Sequence, residues 1–221
     1  MPDLSPAAFF RVEGTLLRRP TALAAAWLAT NSQKLSSRLT RLGSVALGAP
    51  LAWAGVDPTA AARVTWMGLR GMSEDRLVVL GEEYWATWLE DDLRPVGEDL
   101  VRQARRGGRR IVLVSDNLDV VVEPLAELIG ADLVVANRME LRSGRATGRL
   151  EEPVVARFGG QRLKDFAAHN GIDLAQSMAY GAAEADAALL AAAGLPCAVH
   201  PDRGLRRMAR DLDWPILERD R

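Results

Sequence analysis

Hydrophobic and polar positions along this chain follow two regimes. Outside a central block, short apolar runs alternate with amphipathic stretches. Ala7 to Val12 is an unbroken apolar run but for Arg11, the pattern of a parallel strand buried on both faces. Arg110 to Ser115, with Ile-Val-Leu-Val inside it, predicts a second such strand, and Asp132 to Ala136, Ser177 to Tyr180 and Leu195 to Val199 predict three more. Between them lie helices predicted over Glu98 to Arg106, Val120 to Ile129, Arg162 to Asn170, Glu184 to Ala193 and Gly204 to Asp211. Gly107-Gly108, Gly130 and Gly171 stand just past the first three of these, where a left-handed residue ends a helix. Met139 to Leu150 alternates around Ser143-Gly144 and predicts a hairpin. Repeated strand–helix units with short turns predict an α/β fold, a Rossmann-like doubly wound parallel sheet.

Residues 20–91 are different: their apolar residues recur at helical spacing, with almost no strand signal. Ala22 to Thr30, Thr59 to Leu69 and a stretch opening at Ser73 and carrying Leu77, Leu80, Tyr84, Trp85, Trp88 and Leu89 predict helices, and Leu35, Leu39 and Leu42 extend the stripe. Five of the six tryptophans (Trp27, Trp53, Trp66, Trp85 and Trp88) fall here, suited either to core packing or to an aromatic docking face.

Composition narrows the function classes. The 221 residues are 48% hydrophobic and 26% charged, the balance of a globular protein rather than a disordered one. A net charge of -1 supplies no global field for nucleic acid or an anionic membrane. A lone cysteine, Cys197, excludes an intrachain disulfide and a cysteine metal cluster. Together with the lack of a basic leader or a long apolar span, this predicts a cytoplasmic protein. His169 and His200 stand far apart, and Arg102, Arg105, Arg106, Arg109 and Arg110 read as a solvated helix end.

The candidate chemistry lies where strands end. Phe9-Phe10-Arg11-Val12-Glu13-Gly14-Thr15-Leu16-Leu17 is a strand running into a Gly-Thr turn; Val112-Leu113-Val114-Ser115 is a strand ending in a hydroxyl; Tyr180-Gly181-Ala182-Ala183-Glu184-Ala185-Asp186 is a strand entering a helix. In this order and spacing, with Gly148-Arg149-Leu150 and Ala198-Val199-His200-Pro201-Asp202, they resemble the motifs of the haloacid dehalogenase-like hydrolases in their phosphoserine-phosphatase-like branch. The resemblance covers nearly the whole chain. It implies a core of residues 1–18 and 93–221 and an inserted helical cap over 19–92.

The resemblance also implies a chemistry. Members of the family attack phosphate with an aspartate in the first motif, use a second aspartate there as acid/base, and hold Mg²⁺ with the nucleophile, a main-chain oxygen and a carboxylate of the last motif. The aligned positions here hold Arg11, Glu13 and Ala182. A guanidinium stays protonated and cannot act as a nucleophile. Glutamate keeps a carboxyl group but adds a methylene. The family lysine aligns with Gly159; Lys164 lies five residues on, about 140° around a helix, and Arg157 is nearer in sequence. Ser115, Gly181 and Asp186 keep the family form.

These replacements predict that no catalytic set is competent. Arg11, Thr15, Ser115, Arg157 and Lys164 are the candidate anion-binding residues, and Glu13 and Asp186 the residual metal candidates. No cofactor is expected, except Mg²⁺ if the chain hydrolyses phosphate. A guanidinium at position 11 is expected to pair with Asp186 or Glu13 in place of the metal. Asp116, Asn117 and Asp119 read as capping residues before the helix at Val120. Three functions stay open: a pseudophosphatase binding a protein partner or a phosphate-like small molecule, a divergent Mg²⁺-dependent phosphomonoester hydrolase, and a scaffold using its Trp-rich cap for oligomers or membrane contact. Nucleic acid is not an expected partner.

Overall fold

The computed structural model describes residues 4–31, 58–89, 92–151, 155 and 158–218. The candidate Arg157, together with Trp53, Leu35, Leu39 and Leu42, lies outside them. Among the described residues a six-stranded sheet runs in the order β3-β2-β1-β6-β7-β8, every neighbour parallel. The strands are β1 (Ala7–Arg11), β2 (Arg110–Leu118), β3 (Leu133–Asn137), β6 (Met178–Gly181), β7 (Leu195–Val199) and β8 (Ile216–Leu217). The hairpin β4 (Met139–Arg142) and β5 (Arg145–Leu150) stands apart. Its turn residues Ser143 and Gly144 take φ values of 51° and 68°, matching the twist of a tight hairpin.

Strand alternation divides the core in two. Phe10, Ile111, Leu113 and Tyr180 face α4 (Pro95–Arg106) and α5 (Asp119–Ile129), with Phe10 stacked on Tyr180 at 4.6 Å. Phe9, Val112, Val114 and Ala198 face α6 (Gly160–His169), α7 (Ala187–Leu190) and α8 (Arg203–Asp211). Burial on both faces is why these strands read as continuous apolar runs.

Helices α1 (Thr21–Thr30), α2 (Pro58–Trp66) and α3 (Glu74–Tyr84) fall between β1 and α4 in sequence. Leu28, Trp66, Leu80 and Tyr84 belong to the same buried cluster as Phe10 and Leu113, so the sheet and these helices share one apolar core. The stretch 71–74 also docks on the hairpin: Gly71 N donates to Ala146 O at 2.7 Å, Ala146 N to Met72 O at 2.8 Å and Glu74 N to Gly144 O at 3.1 Å. No helix among the described residues is long and apolar enough to cross a membrane.

Two predicted elements need correction, and one strand was not predicted. β2 continues past Ser115 to Leu118, so Asp116 and Asn117 lie in the strand and do not cap the helix. The helix predicted over Glu184 to Ala193 is a 3-10 turn, Glu184–Asp186, followed by the single turn of α7. Past its end the chain makes a close approach: a Cβ on Gly194 would sit 1.9 Å from Ala175 O. Strand β8, two residues long, has no periodicity to read.

Candidate active-site cluster at the sheet switch point

In this strand order the chain leaves β1 toward β2 on one side and reaches β6 on the other. The carboxyl ends of β1 and β6 therefore flank the switch point where open α/β sheets place ligands. Arg11 ends β1 there, opposite Val114 of β2. The turn after it is tight: Gly14 N donates to Leu17 O at 2.7 Å, and Gly14 has φ +79°. A Cβ on Gly14 would lie 2.7 Å from the Ala182 Cβ, so glycine lets the turn press against the segment after β6.

Arg11 sits at the centre of a charged cluster, with 9% of its side chain exposed. Its Nη2 donates to Asp116 Oδ2 at 2.6 Å and lies 3.5 Å from Glu13 Oε2. Its Nε lies 2.8 Å from Asp186 Oδ1, an ion contact bent too far for a hydrogen bond. Asp186 is fixed from behind, since its Oδ2 accepts from the N–H groups of Ala182 and Ala183 at 2.9 Å each. Glu13 Oε1 accepts from Ser115 Oγ at 2.5 Å and from Asn117 Nδ2 at 2.9 Å. Asn137 on β3 holds the far side, donating from Nδ2 to Asp116 O at 2.7 Å while its Oδ1 accepts from Val155 N at 2.9 Å.

The electrostatics follow from this packing. Burial disfavours the charged guanidinium, but Asp116, Asp186 and Glu13 outweigh it and raise the Arg11 pKa above its ordinary value. Burial also raises the Glu13 pKa; Asp116 adds to the rise, while Arg11 and the Ser115 hydroxyl oppose it. One fixed cation thus faces three carboxyl groups.

The sequence candidates divide accordingly. Arg11, Glu13, Ser115 and Asp186 converge, and Ala182 abuts the Gly14 turn. Thr15 is fully buried. Lys164 is exposed on α6, whose buried residues are Leu163 and Ala167. Gly159 precedes α6, where a Cβ would meet the Ala188 Cβ at 2.7 Å. The partner expected for Arg11 was Asp186 or Glu13; the shortest contact is to Asp116, which sequence reasoning treated as a cap, as it did Asn117. The available signal was their place: a polar Ser-Asp-Asn run at the carboxyl end of a parallel strand.

Mg²⁺, the metal of the family's phosphatases, does not fit this donor set. The guanidinium lies among the carboxylates that a hard cation would need, and it cannot coordinate one. Ala182 offers no side-chain oxygen, and among the described residues no group of three His, Cys, Asp or Glu side chains is gathered to hold a metal.

Known proteins resemble this chain along most of its length. A Streptomyces azureus protein, "Inhibition of morphological differentiation protein", is 38% identical over 142 residues, 62% of this chain and 51% of that protein. Phosphoserine phosphatase SerB2 of Mycobacterium tuberculosis is 36% identical over 58% of this chain and 32% of its own length. The chain thus spans about half or less of these two relatives. Phosphoserine phosphatase SerB1 of the same organism is 26% identical over 98% of this chain and 71% of its own length. Among solved structures, a protein of unknown function from Bordetella pertussis Tohama I superposes with a TM-score of 0.84 at 24% identity, covering 97% of this chain and 99% of that one. A substrate-bound phosphoserine phosphatase superposes at 0.71 and 19% identity, covering 98% and 94%. The family model described as haloacid dehalogenase-like hydrolase matches residues 8–191, and the chain belongs to that family.

Proposed function

We propose that this chain is a pseudophosphatase of the haloacid dehalogenase-like family, acting in the cytoplasm by binding rather than by hydrolysis. The observation that carries the reading is the position of Arg11, whose guanidinium meets Asp116, Asp186 and Glu13 at the switch point. A nucleophile there would need a lone pair, and arginine offers none. With three carboxyl groups around one guanidinium, the cluster repels a phosphate rather than attracting it. Binding therefore takes place elsewhere on the protein, and a protein partner contacts other surfaces, with residues 19–92 as a cap.

One observation favours a second reading, a divergent phosphomonoester hydrolase. Glu13 is half-buried, hydrogen-bonded and raised in pKa, as a general acid should be. Relatives that carry the name phosphoserine phosphatase agree with it.

The test is turnover of phosphoserine and p-nitrophenyl phosphate with and without Mg²⁺, with an Arg11→Ala preparation as the contamination control. No turnover above that control is the expected result. Mg²⁺-dependent turnover abolished by Glu13→Ala or Asp186→Ala would establish the hydrolase instead.

A further inference from the structure

Strand β3 forms one edge of the six-stranded sheet, and among the described residues no strand pairs with its outer side. Alternate peptide groups along that side therefore have no partner within the sheet. Val134, Val135 and Ala136 are half-buried there and line a groove of about 480 Å³. Residues of α5 and α6 form its walls, one on each side of the strand.

The two walls differ in chemistry. On the α5 side, Val134 and Ala136 pack with the cluster of Phe10 and Leu113, and Asp119 and Glu123 line the groove. On the α6 side, Val135 packs with the cluster of Phe9 and Val112, together with Phe158 and Phe166, whose rings meet edge to face at 5.5 Å. With Glu151 and Asp165, four carboxyl groups line the groove against two guanidiniums, so it is acidic. Both guanidiniums are already engaged: Arg138 faces Asp119 at 3.5 Å, and Arg162 lies 5.8 Å from the centre of the Phe158 ring. Glu123 and Glu151 make no side-chain hydrogen bond or ion pair among the described residues.

We propose that this groove takes an extended segment of a partner protein in which basic and apolar residues alternate, added to β3 as a further strand. Backbone hydrogen bonds to β3 supply affinity, and alternate side chains of an added strand point to opposite faces. One set then meets the carboxylates on the α5 side, and the other meets the aromatic wall on the α6 side. A second copy of this chain fits less well. Its own β3, Leu133–Asn137, carries no basic side chain, and two such edges together would set one acidic groove against another. The same charge repels a nucleic-acid strand.

The test uses the full chain and, as the probe, a fluorescent peptide of alternating lysine and valine longer than β3, followed by anisotropy at near-physiological salt. Saturable one-to-one binding is expected, at least about 10-fold tighter than that of a peptide alternating glutamate and valine. Two further peptides carry N-methyl groups on all lysines or on all valines, which removes the backbone donors of one edge and leaves the charge unchanged. At least one of them should bind about 10-fold or more weaker. The bound peptide should also slow hydrogen exchange of amides within 133–137. Glu123→Lys and Glu151→Lys should each weaken binding about 5-fold or more with an unchanged melting temperature, since both side chains are exposed. Asp211→Lys, an exposed position on α8, is the control for general charge and should leave binding unaltered. The proposal fails if the glutamate peptide binds as well, if neither methylated peptide is weakened, or if exchange within 133–137 does not change. It also fails if Asp211→Lys weakens binding as much as the two groove variants do. A dimer of the chain in sedimentation that the peptide dissociates would overturn it too, because the occupant is then a second copy. None of these outcomes depends on whether the switch-point cluster turns over phosphate.

Discussion

Arg11 and Asp116 are 105 positions apart in the chain and meet at 2.6 Å where β1 ends and β2 runs on beyond it. The contact bolts the start of the chain to the strand that reopens the sheet after the helical block. It also fixes what the cluster can be, because the same guanidinium faces Asp186 and Glu13.

Arg11→Ala should lower unfolding stability by about 3 kcal/mol or more, because it leaves Glu13, Asp116 and Asp186 facing one another without a cation. Denaturant unfolding near pH 7 measures this. An unchanged midpoint would show that the cluster is solvated and contributes nothing.

Glu13 makes stability depend on pH in a stated direction. A carboxyl whose folded pKa is raised holds its proton more tightly in the fold. Its favourable contribution is complete below the unfolded value of about 4.3 and is lost as pH rises through the folded value. The stability of wild type relative to Glu13→Gln should therefore fall as pH rises above about 4.3. A flat difference would mean that the folded pKa is not raised.

Gly159 aligns with the family lysine, yet the space for a side chain is taken by Ala188. Its φ of 175° is extended backbone, so the obstacle is contact and not strain. Gly159→Lys should cost about 1–3 kcal/mol by displacing α7. Thermal unfolding that is no lower than wild type would show that α7 yields freely.

Burial pushes the Cys197 thiol up to about 11, so the thiolate is scarce at pH values where an unfolded cysteine reacts. A maleimide should label native protein at least about 10-fold more slowly than unfolded protein at mildly alkaline pH. Equal rates would contradict the burial of Cys197.

The parallel strands were legible because burial on both faces writes itself as an apolar run; the predicted Leu195 to Val199 is β7 as found. Helix ends were legible where glycine takes a left-handed turn, as Gly130 does at φ 66°. Asp116 and Asn117 were not, because a polar residue after an apolar strand looks the same whether it caps a helix or extends the strand beyond the core. Likewise Trp66, wholly buried, and Trp88, with Arg19 lying 4.6 Å from its ring, share one helical spacing pattern and differ only in what the fold brings to them. The convergence of Arg11 with Asp186 followed from family order alone; its closer partner needed the extra length of β2, which only packing reveals.

The docking of residues 71–74 on the hairpin has a kinetic meaning. Gly71 lies in no helix or strand, yet its amide is held by Ala146 O, whose own amide is held by Met72 O. Neither amide can meet solvent unless the two segments part. Their protons should leave together in hydrogen exchange, on the timescale of separating the segments rather than that of an ordinary surface turn. The reach from position 71 to position 146 thus gives a glycine between two helices the lifetime of a strand.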